Sequence, residues 1–142
     1  MEMKYTQNEI ERRWRVDHQT VEALTAGEYV VIEDRYLAGT DLRLRRMVEP
    51  TGEVTLKLGK KYARVHPWVR PITNIYLSPE DYAALASLPA KVLTKRRYRV
   101  QGGALDVPDE GDPRYEVEFT TLATAAEFSP PSFVGEELVE PE

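Results

Sequence analysis

A chain of 142 residues that is 42% apolar and 30% charged can bury one real core and is too apolar for a disordered tail. Its net charge of −5 argues against a general binder of nucleic acid or anionic membrane. The lack of cysteine removes disulfides, thiolate metal sites and a cysteine nucleophile. No apolar run approaches the roughly 20 residues that cross a bilayer. The opening MEMKYTQNEI holds no leader-like apolar segment, so cytoplasm is the expected compartment.

The first predicted element is a strand in NEIERRWRVD, Asn8 to Asp17. Glu9, Glu11, Arg13 and Arg15 share one face, and Ile10, Arg12, Trp14 and Val16 the other. A short helix is predicted from His18, closed by Gly27. Strands follow over Tyr29–Leu37 and Asp41–Met47. Pro50 and Gly52 then punctuate a turn, and Glu53–Leu58 completes a hairpin. After Pro71 comes a strand over Ile72–Leu77. SPEDYAALASL reads as a helix: Ser78 is the N-cap, Pro79 suits the first position, and Tyr82, Leu85 and Leu88 fall on one face. Strands over Val92–Val100, Ala104–Val107 and Arg114–Thr120 precede a helix in TLATAAEF. The predicted class is α+β, an antiparallel sheet or barrel with helices outside. One domain is expected over residues 1–134, with a loose acidic tail over 135–142.

The charged residues recur with period two. Arg43 and Arg45 alternate with Leu42 and Leu44, Lys57 lies between Leu56 and Leu58, Lys95 and Arg97 share a face, and Glu116 and Glu118 alternate with Tyr115, Val117 and Phe119. Asp106 sits between Leu105 and Val107. One account is an ordinary sheet with one wet face and helices on its apolar face. The other is a barrel with the charged face inward, which crowds like charges unless a charged ligand and cations fill the space. Bases sit in the middle strands and acids at the first and last. Arg and Lys suit a polyanion with several phosphoryl oxygens. Clustered carboxylates suit Mg²⁺ or Mn²⁺. Together they describe phosphoryl transfer.

These segments resemble a known family, the CYTH domain or triphosphate tunnel metalloenzymes. EIERRWRV is similar to its N-terminal EIERKFLV signature, an E-x-E-x-K pattern. RYL followed by LRLRR resembles the family's GYL … RLR strands, and VTLKLG resembles TLTVKG. TKRRYRV is similar to KTRYxV, LDV and YEVEF to VDVF … EVEF, and FSPPSFVGEEL to PxWxGxEVT. The resemblance runs in order over nearly the whole chain. It implies an antiparallel barrel of about eight strands forming a tunnel. It also implies metal-dependent hydrolysis of inorganic triphosphate, thiamine triphosphate or nucleoside triphosphates, some members being adenylate cyclases. By the same carry-over, Glu9, Glu11 and Glu118 are the implied catalytic acids. Arg13, Arg43, Arg45, Lys57, Lys95 and Arg97 are the implied phosphate-binding bases. Glu9, Glu11, Asp106, Glu116 and Glu118 are the implied metal ligands, for Mg²⁺ or Mn²⁺.

Three departures from the family pattern stand out. Arg13 replaces the lysine of E-x-E-x-K, keeping charge but not shape or proton chemistry. Ile72 and Asn74 stand where a middle Glu-x-Glu is usual. No counterpart of the family's C-terminal helix follows VEPE. The preferred reading is a divalent-metal-dependent triphosphatase acting on a small-molecule triphosphate, with no nucleic-acid or membrane partner. A non-catalytic triphosphate-binding domain of the same fold is the alternative, and a nucleotidyl cyclase the third. His18 and His66 lack a partner at ligand spacing and read as surface or loop residues. Trp14 reads as core, Trp68 as a loop anchor, Lys60 and Lys61 as a solvated hairpin end, and Gln101–Gly103 as a turn.

Overall fold

Period-two alternation of charged and apolar residues is resolved here by a sheet that closes on itself. The computed structural model describes residues 1–139. In chain order the elements are β1 (Gln7–Arg15), α1 (His18–Leu24), β2 (Val30–Leu37), β3 (Leu42–Val48), β4 (Val54–Lys61), β5 (Val69–Tyr76), α2 (Pro79–Ala86), β6 (Ala90–Val100), β7 (Gly103–Pro108), β8 (Arg114–Phe119), α3 (Leu122–Glu127) and β9 (Glu137–Leu138). The sheet order is β5-β4-β3-β2-β6-β7-β8-β1-β9, and β1 also pairs with β5. All pairings are antiparallel. Eight strands therefore form a closed barrel, with β9 as a short ninth strand beside β1. Among the described residues no helix is long and apolar enough to cross a membrane.

The three helices begin where their caps say they should. Asp17, Ser78 and Thr121 each accept a hydrogen bond from the backbone N–H three residues on, and Pro79 opens α2. Each such cap stabilises its helix by about 1 kcal/mol. Two expectations change at the helix ends. α1 stops at Leu24, capped by Thr25, so Gly27 does not close it. Leu88 lies beyond the C-cap Ser87 and stays exposed, so it takes no part in the α2 face.

The hydrophobic core lies outside the barrel wall. Trp14, Val16, Tyr98, Leu105, Tyr115 and Val117 are buried together with Val21 of α1, and Phe128, Phe133 and Val134 pack on them. The Trp14 ring sits 6.2 Å from Tyr115 and 5.7 Å from Phe128. Burying each large apolar side chain contributes about 1.5–3 kcal/mol. On the opposite side α2 lies against β3 and β4, and Tyr82 reaches Glu33 with its hydroxyl at 3.4 Å. Since the apolar faces are satisfied outside, the inner faces are free to be polar.

Two local features shape the wall. Val100 pairs with Gly103 across a two-residue hairpin in which Gln101 and Gly102 have φ of 47° and 78°. That is the geometry matching strand twist, at a position that favours Asn or Gly. The Tyr115 hydroxyl lies 2.8 and 3.0 Å from the Val100 and Gln101 carbonyls and pins the turn. At the other feature, the expected loose tail is corrected. Glu137 and Leu138 pair with Trp14 and Arg13 of β1, where β5 has already left the strand at Ile10. Open backbone groups on that edge need partners, and the returning chain supplies them. The last part of the expected tail, 140–142, lies outside the described residues.

Candidate functional site

Ladder register decides which residues meet inside. Glu11 stands opposite Glu118 and Arg13 opposite Glu116. On the other edge Glu9 stands opposite Arg70. Arg45 lies between Asp34 and Lys57, Arg43 between Tyr36 and Gly59, and Arg97 opposite Asp106. The charged face therefore turns inward, around a cavity of about 1150 Å³. Its lining runs from the β2–β3 turn at Thr40 and Asp41 to the β6–β7 turn at Gln101–Gly103, the two ends of the barrel. Eleven Lys and Arg side chains line it against five Asp and Glu. A chain that is acidic overall thus encloses a basic cavity, whose local potential favours anions.

The acids gather on one side. Carboxylate oxygens of Glu9, Glu11 and Glu118 lie within 4.8 Å of one another. Burial, then the charges of Glu116 and Glu9, push the Glu11 carboxyl up to about 8. Partial burial and the Glu9 charge raise Glu118 as well. Arg13 is 7% exposed and brings Nε to 3.7 Å from Glu11, and its charge and that of Lys61 offset the crowding only in part. The donor set is all oxygen, without His or Cys, and is short of positive charge. It fits a hard divalent cation, which Glu9, Glu11 and Glu118 could hold.

The bases are arranged in two ways. Arg45 makes a bidentate pair with Asp34, at 2.6 and 2.9 Å. Arg97 does the same with Asp106, at 2.7 and 2.9 Å, and Lys95 reaches that carboxylate at 2.6 Å. Asp34 and Asp106 are 3% and 4% exposed and lie behind these bases, outside the cavity lining. Burial alone would raise both carboxyls. The hydrogen bonds and charges of Arg45 and Arg97 outweigh it and hold them below the usual range. The second group is less compensated. Arg43 has a buried Nε with no hydrogen-bond partner, 3.8 Å from Asp34. Burial and then the charges of Arg45 and Arg43 lower the Lys57 ammonium, which among the described residues forms no hydrogen bond or ion pair. Lys61 is lowered by burial against the opposing charge of Glu9.

Most of the site residues named from the sequence line this cavity, and Asp106 lies outside its lining. Asp106, implied as a metal ligand, sits under Arg97 and Lys95 with its oxygens taken, away from the acid triad. Glu116 lines the cavity opposite Arg13 and lies 3.9 Å from Arg97. Ile72 and Asn74 do face inward from β5, beside Arg70, so that wall carries no carboxylate. Gly59 makes room there: a Cβ would run into the Asn74 side-chain oxygen.

Sequence reading missed Asp34, Lys61 and Arg70. Asp34 shares parity with Val30, Ile32 and Tyr36, on an otherwise uncharged face of its strand. Lys61 shares parity with Lys57 through Gly59, a signal lost when β4 is ended at Leu58. Arg70 was lost when β5 was begun at Ile72. Trp68 anchors its loop as expected: its indole N–H donates to Glu137 at 3.0 Å, and Arg12 stacks on its ring.

No family profile and no curated protein matches this chain. Solved structures do. An inorganic triphosphatase, NE1496, superposes with a TM-score of 0.50 at 21% identity, over 93% of this chain and 87% of its own. The PH1012 protein from Pyrococcus horikoshii OT3 gives 0.53 at 17% identity, over 84% of both chains. A conserved hypothetical protein from Pyrococcus furiosus gives 0.51 at 17%, again over 84% of both. At these identities the likeness establishes the fold.

Proposed function

The chain has the CYTH-type tunnel fold, and we propose that it is a divalent-metal-dependent triphosphatase. Its substrate would be inorganic triphosphate or a small organic triphosphate bound inside the barrel. One observation carries this reading: a triad of crowded carboxylates and a wall of bases share one cavity, at the positions where the family resemblance puts them. The triphosphatase NE1496 of the same fold supports it.

The chain's own residues would work as follows. Arg45 and Arg97 are held rigid from behind by Asp34 and Asp106, so their outer N–H groups are aimed before the ligand arrives. Arg43 and Lys57 are the undercompensated cations, and a phosphate chain would relieve the repulsion they share with Arg45. Glu9, Glu11 and Glu118 would hold the cation. When bound, that ion neutralises phosphate charge and makes water a better nucleophile. In the reaction, a water oxygen bonds to the terminal phosphorus and the bridging P–O bond breaks. The products are orthophosphate and the chain shortened by one phosphate.

A second reading, binding without hydrolysis, is favoured by the β5 wall, where Ile72 and Asn74 offer no carboxylate. Phosphate release from inorganic triphosphate and from ATP separates the two. It is measured with Mg²⁺, with Mn²⁺ and with chelator, beside a melting scan of each mixture. Metal-dependent release that is lost in Glu11→Gln is the expected result. A melting shift with triphosphate but no release under any metal would leave only the binding reading.

A further inference from the structure

Glu11 and Arg12 sit at a seam in the barrel. β5 pairs with β1 only as far as Ile10 opposite Val69, and β9 takes over at Arg13 opposite Leu138. Between them, on that edge, the strand is held by a separate set of contacts. Glu11 donates its backbone N–H to the carbonyl of Trp68 at 2.9 Å. Arg12 points to the outer face. There its Nε and Nη2 donate to both oxygens of Glu137, at 2.9 and 2.6 Å. Its Nη1 donates to the carbonyls of Ala125 and Phe128, at 2.9 and 3.1 Å. The same guanidinium lies over the rings of Trp68 and Trp14, 4.5 and 5.0 Å from their centroids. Trp68 closes the circuit by donating its indole N–H to Glu137 at 3.0 Å.

An exposed ion pair on a barrel surface contributes little. This one differs. The Arg12 side chain is 11% exposed, the pair is bidentate, and two aromatic faces exclude water from it. What it ties down is the strand whose inner face carries Glu9, Glu11 and Arg13. Side chains alternate along β1, so a slip or twist at the seam moves Glu11 relative to Glu118 on the neighbouring strand. Metal–ligand distances at a cation site hold to within about 0.2 Å, so such movement bears on binding.

We propose that Glu137 is a positioning residue for the acid triad: through Arg12 and Trp68 it holds the β1 seam so that Glu11 meets Glu9 and Glu118 at cation-binding spacing. This rests on the metal-dependent reading above. It assigns the C-terminal segment a part in a site it does not line.

The test is a direct Mn²⁺ titration followed by the paramagnetic signal of the free ion. It is run on the unaltered protein, Glu137→Gln and Trp68→Phe. Metal-free melting temperatures are taken alongside, as is the melting shift given by triphosphate in chelator. Glu137→Gln keeps the size and loses the charge; Trp68→Phe keeps the stacked ring and loses the donor. Glu137→Gln is expected to raise the Mn²⁺ dissociation constant about tenfold or more, the usual effect of losing a residue that orients a ligand. Trp68→Phe should move it less, in the same direction. The triphosphate shift in chelator should fall by much less, because only Arg13 of the phosphate-binding bases stands on β1, while Arg43, Arg45, Lys57, Lys95 and Arg97 stand on other strands. A lower melting temperature with an unaltered Mn²⁺ constant would overturn the inference. So would equal losses of Mn²⁺ and triphosphate binding, which mean general loosening. If the unaltered protein binds triphosphate but no Mn²⁺, the metal-dependent reading itself fails and takes this inference with it. That failure shows before any substitution is made.

Discussion

Asp34 accepts two hydrogen bonds from Arg45, at 2.6 and 2.9 Å, and lies buried beneath that base on the same inner face of the sheet, out of the cavity lining. The carboxylate is a strut for the base. Removing it leaves a buried guanidinium beside Arg43 with nothing to balance it. Asp34→Asn should cost about 3–5 kcal/mol at pH 7, as loss of one partner of a buried pair does. The sign with pH follows from the depressed Asp34 carboxyl. Its contribution is present above the unfolded value and is lost as pH falls through the folded one. Urea unfolding of the two proteins at pH 7 and at about pH 3, below the unfolded Asp value, should therefore show the gap narrowing at acid pH.

Glu11 has the opposite sign. Its folded carboxyl is raised to about 8 from an ordinary value of 4.5. The folded state then holds a proton that the unfolded state gives up, so metal-free stability falls as pH rises between those two values. The loss is on the order of a few kcal/mol at most. Glu11→Gln should flatten this decline and be more stable than the unaltered protein at pH 8 in chelator, while losing metal-dependent phosphate release. Denaturant unfolding at pH 5 and pH 8, with and without chelator, checks both halves.

Lys57 stands among Arg43, Arg45 and Arg97, and among the described residues has no paired acid. Lys57→Met keeps much of the volume and removes the charge. The ligand-free protein should melt at the same temperature or higher, and triphosphate affinity should fall about tenfold or more, the loss expected for one charge-assisted contact worth about 1.5–3 kcal/mol. Calorimetric titration with triphosphate beside a melting scan measures both. A protein that is less stable without ligand would show that Lys57 supports the wall instead.

Gln101 holds a left-handed backbone, φ 47°, in the β6–β7 hairpin. That conformation costs a non-glycine residue about 1–2 kcal/mol. Gln101→Gly should stabilise the protein by about 1 kcal/mol after the entropy cost of glycine is subtracted. Thermal unfolding checks it. Gly103→Ala should do the reverse, because its Cβ would meet the Tyr115 ring and hydroxyl at 2.6 Å.

Much of the wall was legible because alternation is a local property. Glu9, Glu11, Arg43, Arg45, Lys57, Lys95, Arg97, Glu116 and Glu118 were each placed by their own strand's period, and the ordered resemblance put them on one barrel. The caps at Ser78 and the hairpin at Pro50–Gly52 were legible for the same local reason. Lys61 and Arg70 were lost at strand ends, where the pattern stops before the pairing does. Asp34 was hidden because its same-face neighbours, Ile32 and Tyr36, carry no charge.

By itself the sequence determined the strands, which residues share a face, and the class of ligand those residue types suit. Parity needs only neighbours along the chain. Tertiary structure alone decided which charged residues meet across the barrel, and that Asp106 pairs with Arg97 and Lys95, apart from the acid triad. It also decided that the acidic end of the chain returns to hold β1 through Arg12 and Trp68. Those outcomes depend on register between strands far apart in sequence. Register is set by closure of the barrel and by the apolar core packed outside it, which no local pattern contains.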